Sequence, residues 1–217
     1  MGKLSHLKDV FYNKYYLPTT INRFRAKKRN KNNNFSLICG NCMGGYIYHQ
    51  LGVKFFSPTI NLMILQPDLF KMVKDLKNYE KGFVDKTKGI IPVGEINGVK
   101  VNFTHYKSFD DAITKWEERF LRINWDNVYL IMTDRDGLTK EQIYELKNLN
   151  YKKILVFTAN KYDLPYCFQI KKYEKEKCVG NILKKTLSGK WEFEKYFDWV
   201  AWLNSEETNV EKFRIKQ

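Results

Sequence analysis

One pattern constrains this chain more than any other. Strand-length apolar runs end in short polar or glycine-bearing turns and give way to helix-length amphipathic segments. Phe35-Ser36-Leu37-Ile38-Cys39 has the length and flanks of a buried strand, and Gly40-Asn41-Cys42-Met43-Gly44-Gly45 follows it as a turn opening a helix to about Leu51. Residues 55–65 hold a second extended piece. Pro67 then starts a helix to about Tyr79, because a proline in the first helical turn removes an amide that has no partner there. Residues 99–104 alternate as a strand, and Ser108 is placed to N-cap a helix over 110–121. Val128–Thr133 and Lys153–Thr158 read as strands around a helix opening at Thr139, and a last helix is expected over 191–203. Short connections between alternating strands and helices favour parallel strands covered on both faces. The expectation is an α/β fold: a three-layer Rossmann-like domain with a mostly parallel sheet and a basic N-terminal helical arm. Residues 1–31 are the arm and 32–217 a single domain ending in a helix.

Composition supports a packed core, since 43% of the 217 residues are hydrophobic and 16% aromatic. No run approaches the roughly 18–20 apolar residues a spanning helix needs. The first twenty residues lack the charged, apolar and small-residue order of a secretory leader. With four cysteines and no leader, reduced thiols in a cytoplasmic protein are expected. The net charge of +14 is concentrated in residues 1–31, where nine Lys/Arg face Asp9 alone. Leu4, Leu7, Val10, Phe11 and Tyr15 there have helical spacing, stopped near Pro18 and followed by a cationic stretch to Lys31. Two readings stand: a helix packed on the domain, or an anchor on the anionic inner face of a membrane. No nucleic-acid partner is expected, because nothing downstream spells a nucleic-acid module.

In open parallel sheets ligands lie outside the carboxyl ends of the strands, so the residues after each strand are the candidates. Cys42 stands where helix N-terminal amides can lower a thiol's pKa or cradle an oxyanion, with Gly40, Asn41, Gly44 and Gly45 allowing close approach. A small buried cysteine is the plainer alternative. The turn matches neither a dinucleotide fingerprint nor a Walker loop. Cys39-Gly40-Asn41-Cys42 also spells Cys-x-x-Cys, but Cys39 belongs to the strand pattern, which speaks against a redox pair. His105 ends the 99–104 strand, the place for a general base, with Tyr106 beside it. Lys115, Arg119 and Arg122 share a helical face suited to an anionic group, or are a solvated ridge. Asp134 and Asp136 form Asp-x-Asp, the spacing with which a divalent metal is held on a nucleotide diphosphate, or a plain turn before Gly137.

Taken together, Asn41-Cys42-Met43-Gly44-Gly45 with Tyr48, Ser57-Pro58-Thr59-Ile60-Asn61-Leu62, Pro92-Val93-Gly94, Phe103-Thr104-His105-Tyr106 and Lys115-Trp116 with Arg119 and Arg122 occur in family order. In this the chain resembles a bacterial family of exopolysaccharide-biosynthesis proteins catalogued as a domain of unknown function. The family usually carries Trp where Met43 stands, a difference in a pocket wall. The resemblance implies cell-surface glycan assembly and adds Ser57, Thr59 and Asn61 to the substrate-binding candidates. Gly40-Asn41-Cys42 is also similar to the start of a capsule acetyltransferase-like family that binds coenzyme A. The expected function is a transferase modifying a polysaccharide precursor, acyl transfer favoured. The alternatives are a metal-dependent glycosyl or glycosyl-phosphate transferase, and a non-catalytic accessory protein of exopolysaccharide assembly that binds a nucleotide-sugar or glycan.

Overall fold

A computed structural model describes residues 17–216. The amphipathic run from Leu4 to Tyr15 lies outside the described residues. The cationic stretch after it is helical, as α1, Leu17–Arg29. Lys27, Lys28 and Arg29 close α1, where cations complement the helix dipole. The helix is docked on the domain: Ala26 is buried in the core, Asn22 donates to the Ser188 carbonyl at 2.8 Å, and Arg29 pairs with Asp198.

The main sheet has four strands, β1 (Ser36–Cys39), β5 (Val128–Thr133), β6 (Lys153–Thr158) and β7 (Cys167–Gln169), in the order β1-β5-β6-β7 and all parallel. Period-two alternation divides them between two cores. Leu37, Cys39, Tyr129, Ile131, Leu155 and Phe157 face one side, where α1, α2 (Met43–Leu51) and α6 (Trp199–Asn204) pack. Ile38, Leu130, Met132 and Val156 face the other, beneath α3 (Gln66–Val73), α4 (Phe109–Phe120) and α5 (Lys140–Glu145). Each fully buried Leu, Ile or Phe stabilises this arrangement by about 1.5–3 kcal/mol, which is why both faces must be covered. The α/β, three-layer expectation holds.

Three features differ from the reading of the sequence. The helix expected from Pro67 to about Tyr79 ends at Val73 and is followed by a separate 3₁₀ turn, Leu76–Tyr79. The strand expected over 99–104 is β4, Val99–Asn102, and it belongs to a separate antiparallel sheet with β2 (Val84–Asp85) and β3 (Val93–Ile96). The β3–β4 turn is Asn97-Gly98, both with positive φ, as a tight hairpin requires. The expected terminal helix is divided into a 3₁₀ turn, Glu192–Lys195, and α6, because Asp198 restarts the helix by accepting from the Ala201 amide. Among the described residues, no helix is long and apolar enough to cross a membrane.

Candidate active site at the free edge of the parallel sheet

Among the described residues β1 pairs with β5 alone, so its other edge presents unpaired backbone groups. Side chains satisfy them. The Leu37 amide donates to Tyr48 Oη at 3.1 Å, and that hydroxyl donates to the Phe35 carbonyl at 3.1 Å. The Cys39 amide donates to Thr59 Oγ1 at 3.1 Å, and Ser57 Oγ lies 3.1 Å from the same oxygen while accepting from the Thr59 amide. Ser57 and Thr59 have no exposed surface. The structure therefore places these two expected substrate contacts inside the wall, as the cap that lets β1 end a sheet without exposing an unpaired ladder.

The wall holds the turn that follows β1. Gly40 packs so closely that a Cβ there would meet the Ile64 carbonyl at 2.6 Å, and its own carbonyl accepts from the Ile64 amide. At Gly44 a Cβ would strike Cys39 Sγ at 2.8 Å, and at Gly45 it would strike Asn61 Oδ1 at 2.6 Å. Asn61 itself has φ +61°, a left-handed conformation that asparagine tolerates better than most residues. The turn is closed internally: Asn41 Oδ1 accepts from the Met43 amide, and Cys39 Sγ accepts from the Gly44 amide while donating to the Asn41 carbonyl. Two amides expected to be free for an oxyanion are thus already engaged, leaving those of Cys42 and Gly45 without a hydrogen bond among the described residues. Cys39 is a buried staple whose thiol is pushed up to about 11 by burial, and all four cysteines are free.

Cys42 is half-buried, and His105 is exposed. Although the imidazole comes from the turn after β4 of the small sheet, its Nε2 lies 3.5 Å from Cys42 Sγ, within reach of a thiol–imidazole hydrogen bond. Burial raises the Cys42 thiol pKa, so it rests as a thiol until a base takes the proton. Tyr106 fixes the turn that carries His105, donating to the Ile60 carbonyl at 2.8 Å. Arg119, only 9% exposed, donates to Tyr106 Oη at 2.5 Å. Its guanidinium lies over the Phe55 ring at 5.1 Å and the Tyr106 ring at 5.8 Å. On its far side is a groove of about 500 Å³, lined by His49, Lys54, Phe55, Lys115, Arg119 and Arg122 among others. Lys115 and Arg122 both pair with Glu118, at 3.1 and 3.4 Å, and that pairing holds the Glu118 carboxyl below its usual range. The ridge is therefore one buried cation supporting His105's neighbour and two partly neutralised cations at a groove.

Asp134 and Asp136 are not brought into this site. Asp134 accepts from the Ala159 amide through Oδ2 and the Val179 amide through Oδ1, tying the ends of β5 and β6 to a loop. Burial nevertheless raises its pKa. Asp136, at φ +59°, points its charge at Arg135. The Asp-x-Asp is a turn staple and its neighbour, and among the described residues no group of three or more His, Cys, Asp or Glu is placed to hold a metal ion.

The sequence reading passed over Phe55, which stacks on Arg119, and Gln66, whose Oε1 accepts from the Thr133 amide and whose amide side chain lies beside Gly40. The aromatic pair Phe55-Phe56 just before Ser57-Pro58-Thr59 was the available signal for the first. A glutamine one residue before Pro67 gave none for the second.

A curated relative, an uncharacterized protein of Haemophilus influenzae, is 35% identical over 191 residues, spanning 85% of this chain and 90% of its own length. The family model described as "Domain of unknown function (DUF1919)" matches residues 13–204, which include every element of the site, and the chain belongs to that family.

Proposed function

We propose that this protein is an acyltransferase that carries the acyl group on Cys42 and passes it to a hydroxyl of a cell-surface polysaccharide precursor. The observation that carries the reading is the 3.5 Å approach of His105 Nε2 to the Cys42 thiol at the mouth of the β1 turn. His105 takes the thiol proton as Sγ bonds to the donor's carbonyl carbon, then returns it to the leaving group as the donor bond breaks. In the second half it takes the proton of the acceptor hydroxyl as that oxygen bonds to the acyl carbon, and hands it to Sγ as the thioester bond breaks, which restores the Cys42 thiol. The unbonded amides of Cys42 and Gly45 are the backbone donors available to the oxyanion of each step. The cationic groove beyond Arg119 suits an anionic portion of donor or acceptor. The resemblance to exopolysaccharide-biosynthesis proteins supports the acceptor class, and the likeness of Gly40-Asn41-Cys42 to coenzyme A-binding acetyltransferases makes an acyl-coenzyme A the first donor to try.

The test is intact-protein mass spectrometry after incubation with short-chain acyl-coenzyme A thioesters. The wild type is expected to gain one acyl group and Cys42→Ala none. His105→Ala should acylate roughly 10²–10⁴-fold more slowly. An adduct that persists in Cys42→Ala would sink the reading.

A further inference from the structure

Beside the site stands a finger whose chemistry the transfer reaction does not use. The β2–β3 loop carries Ile90, 99% exposed, and Ile91, 48% exposed, with Val84 at its base 55% exposed. Lys86 and Lys88 flank the isoleucines, and among the described residues neither makes a salt bridge. A single exposed aliphatic residue is ordinary, but an isoleucine left almost wholly exposed by an ordered hairpin, beside a second that is half exposed, is a standing hydrophobic cost.

The hairpin is ordered by its own bonds. The Lys86 amide donates to the Val93 carbonyl at 2.8 Å, the Val93 amide donates to Thr87 Oγ1 at 3.0 Å, and the Thr87 amide donates to Asp85 Oδ1 at 2.8 Å. Phe83 anchors the base, its ring 5.0 Å from that of Trp116 and 5.7 Å from that of Phe103. A Cβ at Gly89 would meet nothing within 4 Å, so the tip stands clear of the domain. Its position is also fixed relative to the site. Val93 pairs with Asn102 and the Phe103 amide donates to the Pro92 carbonyl, which puts the tip at the end of β4 from which His105 emerges. Met63, 39% exposed, bridges to Asn102 from the other side.

We propose that the tip formed by Lys86, Lys88, Ile90 and Ile91 is a membrane-contact finger, inserting its isoleucines below the headgroups of an anionic bilayer while the lysines meet lipid phosphates, and so laying the Cys42–His105 end against the lipid surface. Apolar side chains with lysines two and four residues before the first of them in the same loop match the two layers of an anionic interface in turn. The inference does not depend on acyl transfer, since binding to lipid needs no chemistry.

Flotation of the full chain with vesicles tests it. The wild type should float with phosphatidylcholine vesicles containing phosphatidylglycerol and stay behind with pure phosphatidylcholine. Ile90→Ser/Ile91→Ser keeps the net charge and residues 1–31; thermal melts of variant and wild type, expected to coincide, check the fold, and Ile90→Ser alone, at the 99% exposed position, replaces the double variant if they do not. That variant should partition roughly tenfold less, the loss expected from withdrawing two aliphatic side chains from the interface. Lys86→Ser/Lys88→Ser should lose about fivefold per lysine at low salt and approach the wild type at high salt. Undiminished flotation of the isoleucine variant overturns the proposal, as does a wild type that ignores anionic vesicles. Lipid-free self-association that the isoleucine substitutions abolish would assign the tip to a protein contact instead.

Discussion

The carboxyl ends of β1 and β5 are adjacent in one parallel sheet, and each is followed by a residue suited to chemistry, yet the chain treats them in opposite ways. At β5, both oxygens of Asp134 accept backbone amides, so the carboxylate holds three segments together. At β1, the equivalent structural work is done by Cys39, Asn41, Thr59 and Tyr48, and among the described residues the Cys42 thiol is left with one partner, the imidazole from the turn after β4. The difference lies in the edge. An interior strand has β-ladders on both sides and its loop needs one anchor, whereas an edge strand needs a wall of side chains, and that wall fixes the turn without calling on the residue at its apex. A strand-end position shows where a side chain emerges. Whether it is free for a ligand depends on which other groups have already satisfied the turn.

The largest expected effect compares two thiols of that turn. Cys39 is sealed and pushed up to about 11, whereas Cys42 is half-exposed and only raised. Iodoacetamide should alkylate Cys42 more than about 100-fold faster than Cys39 at neutral pH, because both thiolate fraction and access favour it. Since burial raises the Cys42 pKa, the labelling rate should climb with pH, about tenfold per unit, and continue climbing past the ordinary thiol value. Peptide mapping after timed labelling reads both. Comparable labelling of the two cysteines would erase the distinction between staple and nucleophile.

Replacing Asp134 with Asn tests the other end. The amide side chain offers one acceptor oxygen and turns an N–H toward the second backbone donor, so one buried amide loses its partner. Urea denaturation should show a loss of about 2 kcal/mol, while acylation of Cys42 per folded molecule stays at the wild-type level. A collapse of acylation with unchanged stability would move Asp134 from scaffold to site.

Much of this contrast was visible in the sequence, and the parts that were not share a cause. The strands β1, β5 and β6, the Ser108 cap and the helix opening at Thr139 follow from local pattern, and the structure has them where the pattern puts them. β7 is three residues long and follows Pro165 closely, too short for periodicity to register. The β3–β4 hairpin did carry its Asn-Gly signature, overlooked because residues 99–104 alone satisfied the strand pattern. The meeting of Cys42 and His105 had no local signal, since 63 residues and two sheets separate them. Nor could Ser57 and Thr59 be told from ligand contacts. A hydroxyl that caps a strand edge and one that binds substrate have the same spelling, and only the topology, which makes β1 an edge, distinguishes them.

The smallest expected effect asks whether the wall is what keeps the turn in place. Thr59→Val keeps the volume and the branched shape but removes the oxygen that accepts from the Cys39 amide and neighbours Ser57 Oγ. One buried backbone donor is left unpaired, with a stability loss of about 1–2 kcal/mol. Because that amide precedes the turn by a single residue, the loosened strand end should also let Cys42 drift from His105. Acylation should therefore fall about two- to fivefold, well short of its loss in Cys42→Ala, and urea titration of the same sample should show the stability decrement. Tyr48→Phe supplies the paired measurement, since it strips the edge farther from the turn, at the Leu37 amide and the Phe35 carbonyl. Its stability loss should be at least as large with less effect on acylation, and equal acylation in the two variants would mean that the turn holds its geometry without the wall.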